Sequence, residues 1–120
     1  MDTVRFEKHK GKDIIIVDVT HAETTDEKVD ILDRAGELIK TQAPKSALVL
    51  TDVRDVGYDI TSVEAMKNFA SGNTPYVKAS AVVGVTGMKK VIFQSVVRIT
   101  GRKIQTFDEP EKAKDWLAEQ

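Results

Sequence analysis

The hydrophobic pattern along the chain changes period several times. Residues Val4 to Lys8 and Asp13 to Val19 read as two short strands joined by a turn at Lys10-Gly11-Lys12, which forces an antiparallel hairpin. The run Ile14-Ile15-Ile16-Val17 is apolar on both faces and predicts an interior strand. A helical period follows: Val29, Leu32, Ala35, Leu38 and Ile39 fall on one stripe, and Thr24 with Glu27 has capping-box spacing. "SALVLTDV" predicts the next strand. "ITSVEAMKNFASG" predicts the next helix, with Thr61 and Glu64 as a second capping box, Val63, Met66, Phe69 and Ala70 inward, and Gly72 as its stop.

"ASAVVGV" reads as a third buried strand. It leads into a helix from Met88 to about Thr100, with Met88, Val91, Ile92, Val96 and Ile99 as its core stripe. "KIQTF" is a short last strand suited to an edge, and "DEPEKAKDWLAEQ" a final helix with Asp108 as N-cap, Pro110 in its first turn, and Trp116 and Leu117 for packing. The order β-β-α-β-α-β-α-β-α predicts a single α/β domain over residues 1–120. Its sheet is mixed and mainly parallel, opened by an antiparallel hairpin and carrying four helices.

Composition narrows the function classes. The formal charge of -1 provides no global field for nucleic acid or an anionic membrane, and 6% aromatics argues against a base-stacking surface. The absence of cysteine removes disulfides and thiolate chemistry, and with His9 and His21 in separate elements no metal-ligand spacing is present. No cofactor motif is found. The charged opening "MDTVRFEKHKGKD" has no apolar h-region and the longest apolar run is too short to span a membrane, so a cytoplasmic protein is expected.

In such a sheet, function collects where strands lead into helices. "AVVGVTGMKKVIF" places Gly84 and Gly87 at one of these corners, but a P-loop needs four residues between its glycines and a hydroxyl after the lysine. The nucleotide motif fails. A helix N-terminus beside lysines remains, making Thr86, Gly87, Lys89 and Lys90 candidates for an anion or ligand, against the plainer reading of a tight turn. Asp18, Asp52 and Thr86 have the residue types of a response-regulator receiver, but the opening hairpin and the single acid at Asp18 weigh against it. His21, beside strand-end carboxylates, has the chemistry of a general base, yet no nucleophile accompanies it, so a solvated loop histidine is the better reading and no catalytic set is identified. Phe93 and Val97 fall outside the core stripe, one turn apart, near Lys89, Lys90, Arg98 and Arg102. That strip is either a contact surface, a ligand wall, or a face covered by the last helix with Trp116.

With this element order, the chain resembles the STAS superfamily, typified by bacterial anti-sigma factor antagonists. The resemblance is strongest over "YVKASAVVGVTGMKKVIFQSVVRITGRKIQTFDEPEKAKDWL", which looks like the C-terminal half of stand-alone bacterial STAS-like proteins, often grouped with the CRAL-TRIO lipid-transfer fold. It implies a mixed sheet with helices mainly on one side, and a regulatory, non-enzymatic module. In the antagonists a phosphorylated serine begins the helix after the central strand, within Asp-Ser-Ser-Gly. The matching stretch here, "DVGYDITSVEAM", keeps Asp59 and Ser62 but lacks the Ser-Gly core, leaving Ser62 or Thr61 as candidate phosphoacceptors. The expected activity is binding of a protein partner or of a second copy as a homo-oligomer, through Asp52, Asp55, Tyr58, Phe93 and Val97. The alternative is a small apolar or amphipathic, lipid-like ligand held in a cleft beside the Met88 to Thr100 helix.

Overall fold

In a computed structural model of the chain, strands apolar on both faces are sandwiched between helices. The structure describes residues 3–54, 56, 60–85, 90, 91, 94, 98 and 104–120, the side chain of Ser62 excepted. Five strands form one sheet in sequential order: β1 (Val4–His9), β2 (Lys12–Asp18), β3 (Ala47–Asp52), β4 (Val77–Val83) and β5 (Ile104–Phe107). β1 and β2 are antiparallel and every later pair is parallel. Three helices complete the described elements: α1 (Thr25–Ile39), α2 (Ile60–Asn73) and α3 (Pro110–Ala118). The expected fourth helix, Met88 to Thr100, lies largely outside the described residues, although Lys90, Val91, Gln94 and Arg98 are helical.

Lys10 and Gly11, with φ of 51° and 82°, close the hairpin as a two-residue turn between the paired His9 and Lys12. Two successive positive φ values give the twist that suits such a turn. At α1, the Thr24 hydroxyl accepts the Glu27 amide at 3.1 Å, as the capping box requires. The Glu27 carboxylate accepts from the amide of Glu23, one residue earlier than the spacing implies. Lys12, expected in the turn, instead begins β2, and β1 runs on to His9; three helix boundaries also differ from expectation. α2 starts at Ile60, so Thr61 sits inside its first turn instead of capping it, and the helix runs past Gly72 to Asn73. The N-cap of α3 is Glu109, not Asp108, because Pro110 with its fixed φ takes the first helical position.

Alternation divides the core in two. Ile15, Val17, Ala47 and Val49 join Ile31, Leu32, Ala35 and Ile39 of α1 on one face, with Ala65, Met66 and Phe69 of α2 packed beside them. Ile14, Ile16, Leu48, Leu50, Ala79, Ala81 and Val83 join Ala113 and Leu117 of α3 on the other. Lys78 is the hinge of this pattern. Register shifts between Ala47, opposite Val77, and Leu48, opposite Ala79, so the extra residue sends Val77 and Ala79 to opposite faces. Trp116 packs on Phe107 with centroids 5.7 Å apart, which fixes α3 on β5.

A polar seam ties α3 to the first strand. Lys114 Nζ lies 2.6 Å from Glu7 Oε2, and His9 Nε2 and Lys10 Nζ lie 2.7 and 3.1 Å from Asp115 Oδ1. The hydrogen bond from Lys114 holds the Glu7 carboxyl below the ordinary glutamate range, against burial, which pushes it up. Burial pushes the Lys114 ammonium down, but its bonds and charge pairing with Glu7 and Glu111 outweigh that and leave it raised. Hydrogen bonds from His9 and Lys10 lower Asp115. Below the ordinary carboxylate range, at about pH 4, the unfolded chain takes up these protons first, so the carboxylate contribution is lost as pH falls through the depressed folded values. Urea unfolding between pH 5 and 3, an interval set by those ordinary values, should show a shallower loss of stability for Glu7→Gln than for the wild type.

No helix among the described residues is long and apolar enough to cross a membrane.

Candidate functional site

The carboxyl ends of the parallel strands form one rim, built as a stair of backbone bonds. The amide following each strand donates to the last carbonyl of its neighbour: Val19 to Asp52 at 3.2 Å, Val53 to Val83 at 2.9 Å, and Gly84 to Phe107 at 3.0 Å. The register therefore continues beyond the strands into the loops.

Asp18 and Asp52 are register partners on β2 and β3, and alternation puts both on the α3 side of the sheet. Each carboxylate is engaged by its own loop. Asp18 Oδ1 accepts the Thr20 amide at 2.9 Å and the Thr20 hydroxyl. Asp52, 6% exposed, accepts the Arg54 amide at 3.1 Å and the guanidinium through Nε at 3.0 Å and Nη2 at 2.8 Å. Such a fork-shaped pairing is geometrically specific and shapes the turn that follows β3. These acids build the rim.

Gly84 explains why the two middle loops can meet. Its φ is +94°, and a Cβ there would lie 2.6 Å from Arg54 Cγ and 2.7 Å from Arg54 Cα. The glycine thus seats Arg54, which in turn holds Asp52. At Gly84 the chain turns closely against Arg54, and the signal for it was the glycine directly after an apolar strand.

Among the other candidates, Thr61 is exposed in the first turn of α2, His21 is an exposed loop residue, and Lys90 is an exposed helical residue. Asp55, Tyr58, Thr86, Gly87, Lys89, Phe93 and Val97 lie outside the described residues, as does the side chain of Ser62. The arrangement brings Asp52 together with Arg54 and Gly84, and leaves His9 far from His21, in the α3 seam.

Periodicity placed Val91 in a core stripe, and the structure overturns this: Val91 is 62% exposed. At about 100° per residue, Lys90, Gln94, Arg98 and Val91 occupy one arc of about 100°, and all four are exposed. Ile60, at the start of α2, is 85% exposed. Both apolar residues follow strands that end on this rim. Spacing alone misplaced Val91, because a branched aliphatic residue reads as core wherever the stripe is drawn, and Ile60 lay outside the inward set of its helix without being singled out.

A cavity of about 630 Å³ lies away from the rim, among Phe6, Lys12, Ile15, Ala47, Lys78 and Gln120 at the amino ends of the central strands. No group of acidic residues and histidines suited to a metal ion occurs among the described residues. No family model, curated protein or solved structure matches the chain.

Proposed function

We propose that the chain is a non-enzymatic, regulatory interaction module of STAS type, bacterial and cytoplasmic, which binds a protein partner over the carboxyl-end rim. The observation that carries this reading is the exposure of Ile60 and Val91, at 85% and 62%, on segments that leave that rim. Large apolar side chains placed there stand ready for burial by a partner. The strand-end acids support the same reading, since Asp18 and Asp52 are spent on loop geometry. The hairpin-led, mixed sheet supports the same reading, although helices pack on both of its faces where the family resemblance implies helices mainly on one.

Burying an isoleucine or valine contributes about 1.5–3 kcal/mol, so removing both should weaken partner binding at least tenfold. With the tagged chain as bait, the Ile60→Ser/Val91→Ser variant should retain its wild-type circular dichroism and lose the partner that the wild type holds. Retention of that partner at undiminished affinity overturns the rim as the contact surface.

A second reading is favoured by one arrangement, the exposed Val91 in the same arc as Lys90 and Arg98. Apolar surface beside cations suits an amphipathic, lipid-like ligand with an anionic head. Native mass spectrometry separates the two readings: a co-purified acyl species favours the ligand, and a clean apoprotein mass favours the protein partner.

A further inference from the structure

The terminal sheet strand β1 carries a self-complementary sequence. β1 is the terminal strand of the sheet, and among the described residues its outer side pairs with no other strand. Phe6 on this strand is 47% exposed, an exposed aromatic on a strand whose neighbours are charged. In antiparallel pairing only alternate residues turn their N–H and C=O outward, so the edge of a second copy can dock only in registers that differ by two residues.

Three such registers centre on Arg5, Phe6 and Glu7 of β1. With Phe6 opposite the second copy's Phe6, Arg5 faces the second copy's Glu7, Glu7 faces its Arg5, and Val4 faces its Lys8. Shifting one way sets Glu7 against Glu7; shifting the other sets Arg5 against Arg5. One register alone is free of like-charge opposition, and it also closes one aromatic ring on the other. Directly opposed aromatic and opposite-charge pairs each stabilise a sheet, while opposed like charges destabilise it. Glu7 keeps 35% of its side chain exposed beside Lys114, so it can accept a second cation.

We propose that β1 is the seam of a symmetric homodimer, in which two copies join through antiparallel β1 strands in the Phe6-to-Phe6 register and form one continuous ten-stranded sheet. Arg5 and Glu7 set the register, and Phe6 is the apolar centre. This goes beyond the rim reading and does not depend on it, since the rim lies at the ends of other strands. A six-residue seam is a small interface, so the dimer is expected at micromolar concentration and above.

Charge reversal tests the register. Arg5→Glu leaves two glutamates facing two glutamates, and Glu7→Arg leaves two arginines facing two arginines. Each variant should raise the dimer dissociation constant about tenfold or more in sedimentation velocity. An equimolar mixture of the two should restore a dimer, now a heterodimer, because every opposed pair is again of opposite sign. Phe6→Thr, which leaves both ion pairs and the contact with Lys114 in place, should weaken the dimer independently, and it decides the matter if Glu7→Arg does not fold. A monomeric wild type at concentrations well above micromolar overturns the proposal. So does a wild-type dimer that Arg5→Glu and Phe6→Thr leave unchanged, or a mixture that remains monomeric when both single variants are folded.

Discussion

Replacing Gly84 with alanine should lower the unfolding free energy by about 3 kcal/mol and the melting temperature by roughly 10 °C. Two independent terms add here. A φ of +94° is a conformation that L side chains rarely adopt, costing about 1–3 kcal/mol. The new Cβ would also lie 2.7 Å from Arg54 Cα and 2.8 Å from Arg54 N, and backbone atoms cannot rotate away as a side-chain end can. Relief requires moving the turn that holds Arg54 on Asp52, or breaking the bond from the Gly84 amide to Phe107. Gly11→Ala is the internal control. Its φ is +82°, yet nothing lies within 4 Å of the added Cβ, so the strain term alone should appear, at about 1–2 kcal/mol. Equal losses at Gly84 and Gly11, measured by thermal and urea unfolding, would contradict the close approach of the two loops.

Leu117→Ala should cost about 2–5 kcal/mol, the range for deleting a fully buried leucine side chain where neighbours relax only in part. Leu117 is 0% exposed and shares its cluster with Ile14, Ile16, Leu48 and Leu50. β4 contributes only Ala79 and Ala81 to the middle of that face, so the helix supplies volume that the strand does not. The short α3 is the described helix on this side of the sheet, and the second core depends on it. Urea unfolding should show an earlier midpoint with little change in slope. A loss below about 1 kcal/mol would mean that α3 packs loosely on the sheet.

Much of this fold was legible along the chain, for local reasons. Lys10-Gly11-Lys12 between two short strand patterns gives a hairpin, closed in the structure by Lys10 and Gly11 alone. Ile14 to Val17 reads as a strand buried on both faces, and the two cores show why both faces are apolar. Thr24 with Glu27 marked the start of α1 to the residue. What stayed hidden depends on long-range registration. Nothing in "VKASAVV" announces that Lys78 is an extra residue that reverses the facing of the strand; that follows from where β4 meets β3. The seam joining Glu7 to Lys114 and His9 to Asp115 links opposite ends of the chain, and helical or strand spacing says nothing about such pairs.

The position of Asp52 at the end of its strand was legible, but its role was not. Asp52 was read as a rim residue, and it is one, yet its partner is Arg54, two residues on, and the support beneath is Gly84. Strand-end acids look alike in sequence whether they serve a reaction or a turn; only the occupancy of their oxygens separates the two. Val91 shows the converse. A helical stripe drawn from spacing has a centre and two flanks, and a flank position is settled by what packs there. Here it is exposed.

The most direct test of the account is amide hydrogen exchange on the chain, free and bound to the partner that the tagged bait retains. Binding at the rim should slow exchange over the first turns of α2 from Ile60 and at Lys90, Val91, Gln94 and Arg98, and leave α3 unchanged. Slowing confined to α3, or to the cavity lined by Lys12, Lys78 and Gln120, with none at Ile60 or Val91, would contradict it.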